Sequence, residues 1–284
     1  VTSMLPPGTD ELIERALEED LGDGDHTSLS TIPAEAVGAA HLLVKATGVL
    51  AGMEIARAVF LRVDKGLTMR PLLNDGARIA PKDVAFTVHG NSRSILLAER
   101  VVLNFMQRMS GIATLTHAFT DAVEGTGCQV LDTRKTTPGL RQIEKWAVRI
   151  GGGVNHRMGL HDMMMIKDNH ADFAGGIPKA IARALEYQKE RNLKLPIEVE
   201  TRNLDEVKQV LATGRVQRIM LDNFTPENLR QAVKLIDHKM ETEASGGITL
   251  ETARSFAECG VDFISVGALT HSAGCLDLSL KAMG

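Results

Sequence analysis

Six polar residues recur along this chain at the spacing of a repeating strand–helix unit: Asp132, Lys167, Glu200, Asp222, Ser245 and Gly267. The intervals of 35, 33, 22, 23 and 22 residues each suit a strand, a loop, a helix and a loop back. Five of the six close short runs rich in Val, Ile, Leu, Met or Phe, and Gly267 directly follows one. Strand ends repeated in this way point to one face of a parallel sheet, so the spacing predicts polar groups gathered at one place. Around the first end the chain reads Leu131-Asp132-Thr133-Arg134-Lys135-Thr136-Thr137-Pro138-Gly139, and this density of cations and hydroxyls implies an anionic substrate.

Strand candidates fall at 128–132, 163–167, 197–200, 218–222, 240–244 and 262–266, with helices near 139–150, 172–191, 203–213, 225–238 and 250–259. Six strands, short of the regular eight, predict an irregular, incomplete α/β barrel. A doubly wound sheet is written in the same alphabet and is the alternative. A barrel converges all six polar ends, whereas an open sheet gathers only those beside its switch point.

The preceding residues read differently. A short amphipathic helix at 10–20, with Asp10 as its cap, ends at Gly22 and gives way to a turn-rich loop at 20–27. Short β-like pieces at 39–45, 67–73 and 83–88 flank a helix from Met53 to Val63, a small α+β unit suited to packing, covering or dimerising. Residues 93–122 carry a long helical pattern in which Gly111 allows either a break or close packing. The expected division is residues 1–115 as an N-terminal α/β sandwich domain with its linking helix, 116–270 as the barrel, and 271–284 as a segment returning to the N-terminal domain.

Composition narrows the function. At 284 residues and 44% hydrophobic content the chain can fill a substantial core, and its net charge of −4 carries no basic run of the kind nucleic acid requires. Cationic residues therefore have to be concentrated locally to hold an anion. Cys128, Cys259 and Cys275 form no ligand or disulfide pattern, no apolar segment approaches the ~20 residues of a membrane span, and no signal-type core opens the sequence. These features predict a cytoplasmic protein. Phosphate-loop, dinucleotide, zinc-protease and serine-elbow motifs are all absent.

Arg134 offers a planar fork for carboxylate or phosphate and Lys135 a compact cation beside it. His156 and Arg157 repeat the pairing, and Lys167 ends the next strand. Each alone could be a surface charge, but a shared face makes them an anion site. Glu200 and Asp222, at successive strand ends, suit sugar hydroxyls or a hard divalent ion, or simply pair with nearby cations. Glu243 could orient one of the basic residues. Ser245-Gly246-Gly247 and Gly267-Ala268 suit a phosphate seat, or ordinary turns. Arg100 either pairs with Glu99 or serves a site.

The segments EEDLGDGDHTS at 18–28, AERVVLNFMQRMSGIAT at 98–114, the long run from Leu131 to His170, IEVET at 197–201, IMLDN at 219–223 and EASGGI at 243–248 resemble the quinolinate phosphoribosyltransferase family. The resemblance runs through nearly the whole chain and departs at no charged position of the central segment. It implies an N-terminal α/β sandwich joined to an irregular barrel, and dimers, or hexamers, with shared active sites. It also implies conversion of quinolinate and 5-phosphoribosyl-1-pyrophosphate to nicotinate mononucleotide, pyrophosphate and CO2, with Mg2+ and no organic cofactor, in NAD synthesis. By the same resemblance Arg134, His156, Arg157 and Lys167 surround quinolinate, and Arg100 reaches in from the partner. Lys135 faces the sugar donor, and Glu200 and Asp222 hold ribose and support the metal directly or indirectly. Ser245, Gly246, Gly247, Gly267 and Ala268 line the 5-phosphate seat. The rival readings are a barrel aldolase with Lys167 as a Schiff-base amine, and a noncatalytic oligomeric scaffold.

Overall fold

In the computed structural model, which describes residues 5–283, the acidic stretch near the N-terminus forms α1 (Thr9–Leu21). Gly8 is its N-cap, and Asp10 lies in the first turn, where it complements the helix dipole without capping. The loop expected at 20–27 is cut short because Asp25 caps a second helix, α2 (His26–Thr31), by accepting the Ser28 N–H at 3.0 Å.

The chain divides into two units, one comprising the residues through His117, 136–152 and those from Leu269 onward, the other 118–135 and 153–268. In the first unit follow β1 (Val37–Val44), β2 (Gly48–Val49), α3 (Met53–Val63), β3 (Thr68–Pro71), β4 (Arg78–Ile79) and β5 (Val84–Asn91). Strand β12 (Leu278–Met283) pairs antiparallel with β1, giving a four-stranded sheet in the order β12-β1-β5-β3. Ala40, Leu42 and Val44 alternate inward along β1, and Phe60 of α3 meets Phe86 of β5 edge to face at 5.8 Å. This is the α/β sandwich.

Helix α4 (Ser92–Ala122) is unbroken through Gly111. A Cβ there would lie 1.7 Å from the Gly274 carbonyl oxygen, so this glycine serves close packing against the returning chain. No helix among the described residues is long and apolar enough to cross a membrane.

The second unit is the barrel. After β6 (Gln129–Leu131) the chain forms α5 (Arg141–Ile150), which belongs to the first unit, and then returns with β7 (Met164–Ile166). There follow α6 (Asp168–Ala174), α7 (Ile177–Arg191), β8 (Ile197–Thr201), α8 (Leu204–Thr213), β9 (Arg218–Asp222), α9 (Pro226–Ile236), β10 (Glu241–Ser245), α10 (Leu250–Ala257) and β11 (Phe263–Ser265); the short α11 (Ala268–His271) begins at the last residue of this unit and belongs from Leu269 on to the first. The single helix expected at 172–191 is two, because Gly175 and Gly176 adopt φ of +85° and +113° and Pro178 restarts the helix.

All six strands are parallel, in the order β6-β11-β10-β9-β8-β7. Chain neighbours are sheet neighbours and the first strand joins the last, which is barrel order. A doubly wound sheet would reverse in its middle. The barrel is incomplete between β6 and β7: among the described residues Leu131 bridges instead to Val154, which precedes β7.

Strand alternation then assigns the two faces. Val199, Ile219, Leu221 and Ala244 are fully buried on one face, while Glu198, Glu200, Arg218, Met220, Asp222, Glu243 and Ser245 share the other. The barrel interior is thus strongly polar.

Candidate active site

The polar columns open at their C-terminal ends into a cavity of about 510 Å³ lined by Thr133, Arg134, Lys135, His156, Arg157, Met165, Lys167, Asp168, Glu200, Met220, Asp222, Glu243, Ser245 and Ser265. Five strands, two connecting loops and the start of α6 supply these side chains. Of the evenly spaced strand ends, Lys167, Glu200, Asp222 and Ser245 line this pocket and meet Arg134, Lys135, His156 and Arg157 there, whereas Asp132, Gly246, Gly247, Gly267 and Ala268 are not among its lining residues.

Arg134 and Lys135 follow β6 after Asp132 and Thr133. The Arg134 Nε is buried without a hydrogen-bond partner. Arg157 is half-buried; its Nη1 donates to the Met163 carbonyl at 3.2 Å, and its Nη2 lies 3.6 Å from the Met165 sulfur. Burial and then the charge of Arg134 hold the Arg157 pKa below its ordinary value. Two guanidiniums close enough to oppose each other's charge are a receptor for an anion.

Lys167 is exposed at the end of β7, and its Nζ lies 3.7 Å from the Glu200 Oε2. Burial raises the Glu200 pKa, Lys167 opposes that rise, and Asp222 adds to it. Asp222, half-buried at the end of β9, accepts from the Asn223 side-chain amide at 2.6 Å.

Gly246 and Gly247 continue from β10, and Gly267 and Ala268 from β11, so the two small-residue turns leave adjacent parallel strands. Gly246, at φ +101°, is confined: a Cβ would lie 2.2 Å from the Asn223 Oδ1. Arg100 is exposed on α4 in the first unit.

Asp132, although it closes the first apolar run, is fully buried. It accepts the His156 backbone N–H at 2.8 Å and the Asn155 amide at 2.6 Å, and so ties β6 to the following loop. His156 is itself buried, with Nε2 2.9 Å from Glu198 and 3.2 Å from Glu243. Burial disfavours its charge, but the two carboxylates outweigh that and push its pKa up to about 9. Burial and Glu243 likewise raise Glu198. Both shifts express one demand, that a proton be held between imidazole and carboxylate.

Two functional residues that the spacing of strand ends does not reach are Glu198 and Arg218, although the signal is present: Glu198 stands two residues before Glu200 and Arg218 four before Asp222, on the same strand faces. The three cysteines are unpaired, and burial pushes the Cys128 thiol up to about 12, which leaves it unreactive.

An incomplete parallel barrel whose mouth sets cations beside carboxylates, with small-residue turns after its last strands, defines an α/β-barrel enzyme for anionic substrates. The chain belongs to the quinolinate phosphoribosyltransferase family. Residues 25–110 match the N-terminal domain of quinolinate phosphoribosyl transferase and residues 112–281 its C-terminal domain. A chloroplastic nicotinate-nucleotide pyrophosphorylase [carboxylating] of Arabidopsis thaliana is 51% identical, covering 95% of this chain and 81% of its own length. The corresponding Mycobacterium leprae protein is 42% identical over 95% of both. The crystal structure of NadC from Streptococcus pyogenes superposes with a TM-score of 0.93 at 38% identity, covering 100% of both chains.

Proposed function

We propose that the pocket divides the reaction of this family between two halves, cations holding the aromatic acid and carboxylates with glycine turns holding the sugar donor. The chain is a decarboxylating quinolinate phosphoribosyltransferase, forming nicotinate mononucleotide, pyrophosphate and CO2 in NAD biosynthesis. The observation that carries the division is the Arg134–Arg157 pair in one pocket, in which the buried Arg134 Nε lacks a partner and burial, then the charge of Arg134, disfavours the Arg157 guanidinium. A dicarboxylate relieves both.

Arg134, Arg157 and Lys167 grip quinolinate's two carboxylates, with His156 in the wall behind them, and so aim its ring nitrogen at the sugar. The nitrogen lone pair forms the bond to the anomeric carbon as the bond to pyrophosphate breaks, and both electrons leave with pyrophosphate. Lys135 stands beside the donor's phosphates, while Glu200 and Asp222 accept from ribose hydroxyls and steady the positive charge that develops on the ring. Ser245, Gly246, Gly247, Gly267 and Ala268 seat the 5-phosphate through close backbone approach. The alkylated ring nitrogen is cationic, so the adjacent carboxylate can depart as CO2, leaving its electron pair on a carbon that a proton then fills.

Hard carboxylate oxygens at Glu200 and Asp222 fit Mg2+, directly or through water. Bound there, Mg2+ supplies charge that neutralises the departing pyrophosphate. No organic cofactor enters this scheme. Lys167, exposed and paired with Glu200, suits an anchoring cation better than a Schiff-base amine.

Arg100 of the partner subunit completes the acid's side of the site in a homodimer, alone or within a hexamer; its exposure on α4 supports that reading. A reducing, cytoplasmic setting accords with the unpaired cysteines. The test is an assay with quinolinate, 5-phosphoribosyl-1-pyrophosphate and Mg2+. Equimolar nicotinate mononucleotide and CO2 are expected, with nicotinate a poor competitor, and equal use of nicotinate would refute the division.

A further inference from the structure

The proposed roles leave the buried carboxylates Glu198 and Glu243, which meet His156 in the wall of the pocket, without a function. Glu198, Glu243 and His156 meet in the barrel interior, and both carboxylates are 0% exposed. Barrels ordinarily fill that space with branched apolar side chains, and taking a charge out of water costs several kcal/mol unless it is compensated. Arg218 compensates here. Its Nη1 lies 3.3 Å from the Glu243 Oε2, its Nε and Nη2 donate to Glu241 at 3.0 and 2.9 Å, and the guanidinium stacks 4.2 Å above the Phe263 ring. The Glu243 Oε2 is therefore braced by Arg218 while it faces the His156 Nε2, 3.2 Å away.

The His156 ring is held at both nitrogens. Nε2 lies against Glu198 and Glu243, and Nδ1 accepts the Arg157 backbone N–H at 2.7 Å. The Asp132 carboxylate fixes the His156 backbone N–H at 2.8 Å. A continuous run of contacts thus leads from Arg218 through Glu243 and His156 to the Arg157 main chain.

We propose that Glu243, braced by Arg218 and aided by Glu198, is a positioning residue that locks the His156 ring and thereby sets the place of the Arg157 guanidinium against the aromatic acid. The proposal rests on the reading of Arg157 as an anchor for quinolinate. Its physical content is preorganisation: a guanidinium held in place loses little freedom on binding, whereas a loose one must be ordered by the substrate.

Steady-state kinetics of Glu243→Gln test it, with the wild-type enzyme as reference. The substitution keeps shape and removes charge. The expected result is a KM for quinolinate raised at least tenfold, with the KM for 5-phosphoribosyl-1-pyrophosphate changed less than twofold. In an Arg157→Ala background the same substitution should have no further effect on the quinolinate KM, because residues acting through one another are not additive. Equal loss for both substrates, or full additivity with Arg157→Ala, would assign Glu243 a purely structural role and overturn the proposal. Should the single variant not fold, Glu243→Leu combined with Arg218→Leu removes charge and countercharge together, and the selective quinolinate defect should persist. Stoichiometric divalent metal in the purified wild type, lost in Glu243→Gln, would make the cluster a metal site and also overturn it. Absence of wild-type turnover with quinolinate would instead refute the site reading, and the role of Glu243 with it.

Discussion

The Lys167 ammonium lies 3.7 Å from the Glu200 carboxylate, joining the cationic half of the pocket to its carboxylate half across two neighbouring strands. Because the pair is exposed on the lysine side, it adds little to stability. Its value is in holding Lys167 over the cavity. Lys167→Ala should raise the quinolinate KM at least tenfold and leave the unfolding midpoint in urea nearly unchanged, which kinetics and denaturation check together.

Arg134→Ala removes the guanidinium whose Nε has no partner within the protein, so it should leave the fold intact. The loss in kcat/KM for quinolinate should correspond to about 2–5 kcal/mol, the range for truncating one member of a buried charge pair. Circular dichroism and initial rates measure the two effects separately. Near-normal kinetics would reject the role of Arg134.

The turn after β10 tolerates no side chain. In Gly246→Ala the new Cβ would meet Asn223, and the backbone φ of +101° would itself be strained, on the order of 1–3 kcal/mol. A lowered melting temperature is expected, together with a raised KM for the sugar donor. Thermal melts and donor titration report each.

Stability should fall as pH rises past neutrality. The extra proton that His156 shares on its Nε2 side with Glu198 and Glu243, while Nδ1 accepts from Arg157, is held up to about pH 9, above the ordinary 6.5 of His156, so its contribution is complete below about pH 6.5 and lost as pH rises through 9. The shift corresponds to a loss on the order of 3 kcal/mol. Urea unfolding between pH 6.5 and 9.5 should show the decline, and His156→Asn should flatten it.

If Arg100 serves the partner's pocket, subunits carrying Arg100→Ala mixed with subunits carrying Lys135→Ala should regain activity through one competent site. No recovery on mixing would place Arg100 outside catalysis.

Much of this architecture was legible because strand ends in a barrel share one face. The spacing from Asp132 to Gly267 gathered Lys167, Glu200, Asp222 and Ser245 without any coordinate. Local chemistry also located Gly22 as the stop of α1 and Met53–Val63 as α3. Less visible were features set by three-dimensional closure. Asp132 resembles its fellow strand ends, yet it is turned inward to accept two hydrogen bonds. Glu198 and Arg218 sit inside strands, where only the knowledge that this barrel has a charged interior gives them meaning. The membership of α5 in the first unit breaks the sequence order of the barrel, and no local signal marks such an excursion.

The central claim is that the cationic half of the pocket is built for a dianion. Calorimetric titration of quinolinate and of nicotinate into the wild type and Arg134→Ala tests it most directly. Quinolinate should bind the wild type at least tenfold more tightly than nicotinate does, and Arg134→Ala should abolish that preference. Equal affinities in the wild type, or a preference that survives the substitution, would contradict the claim.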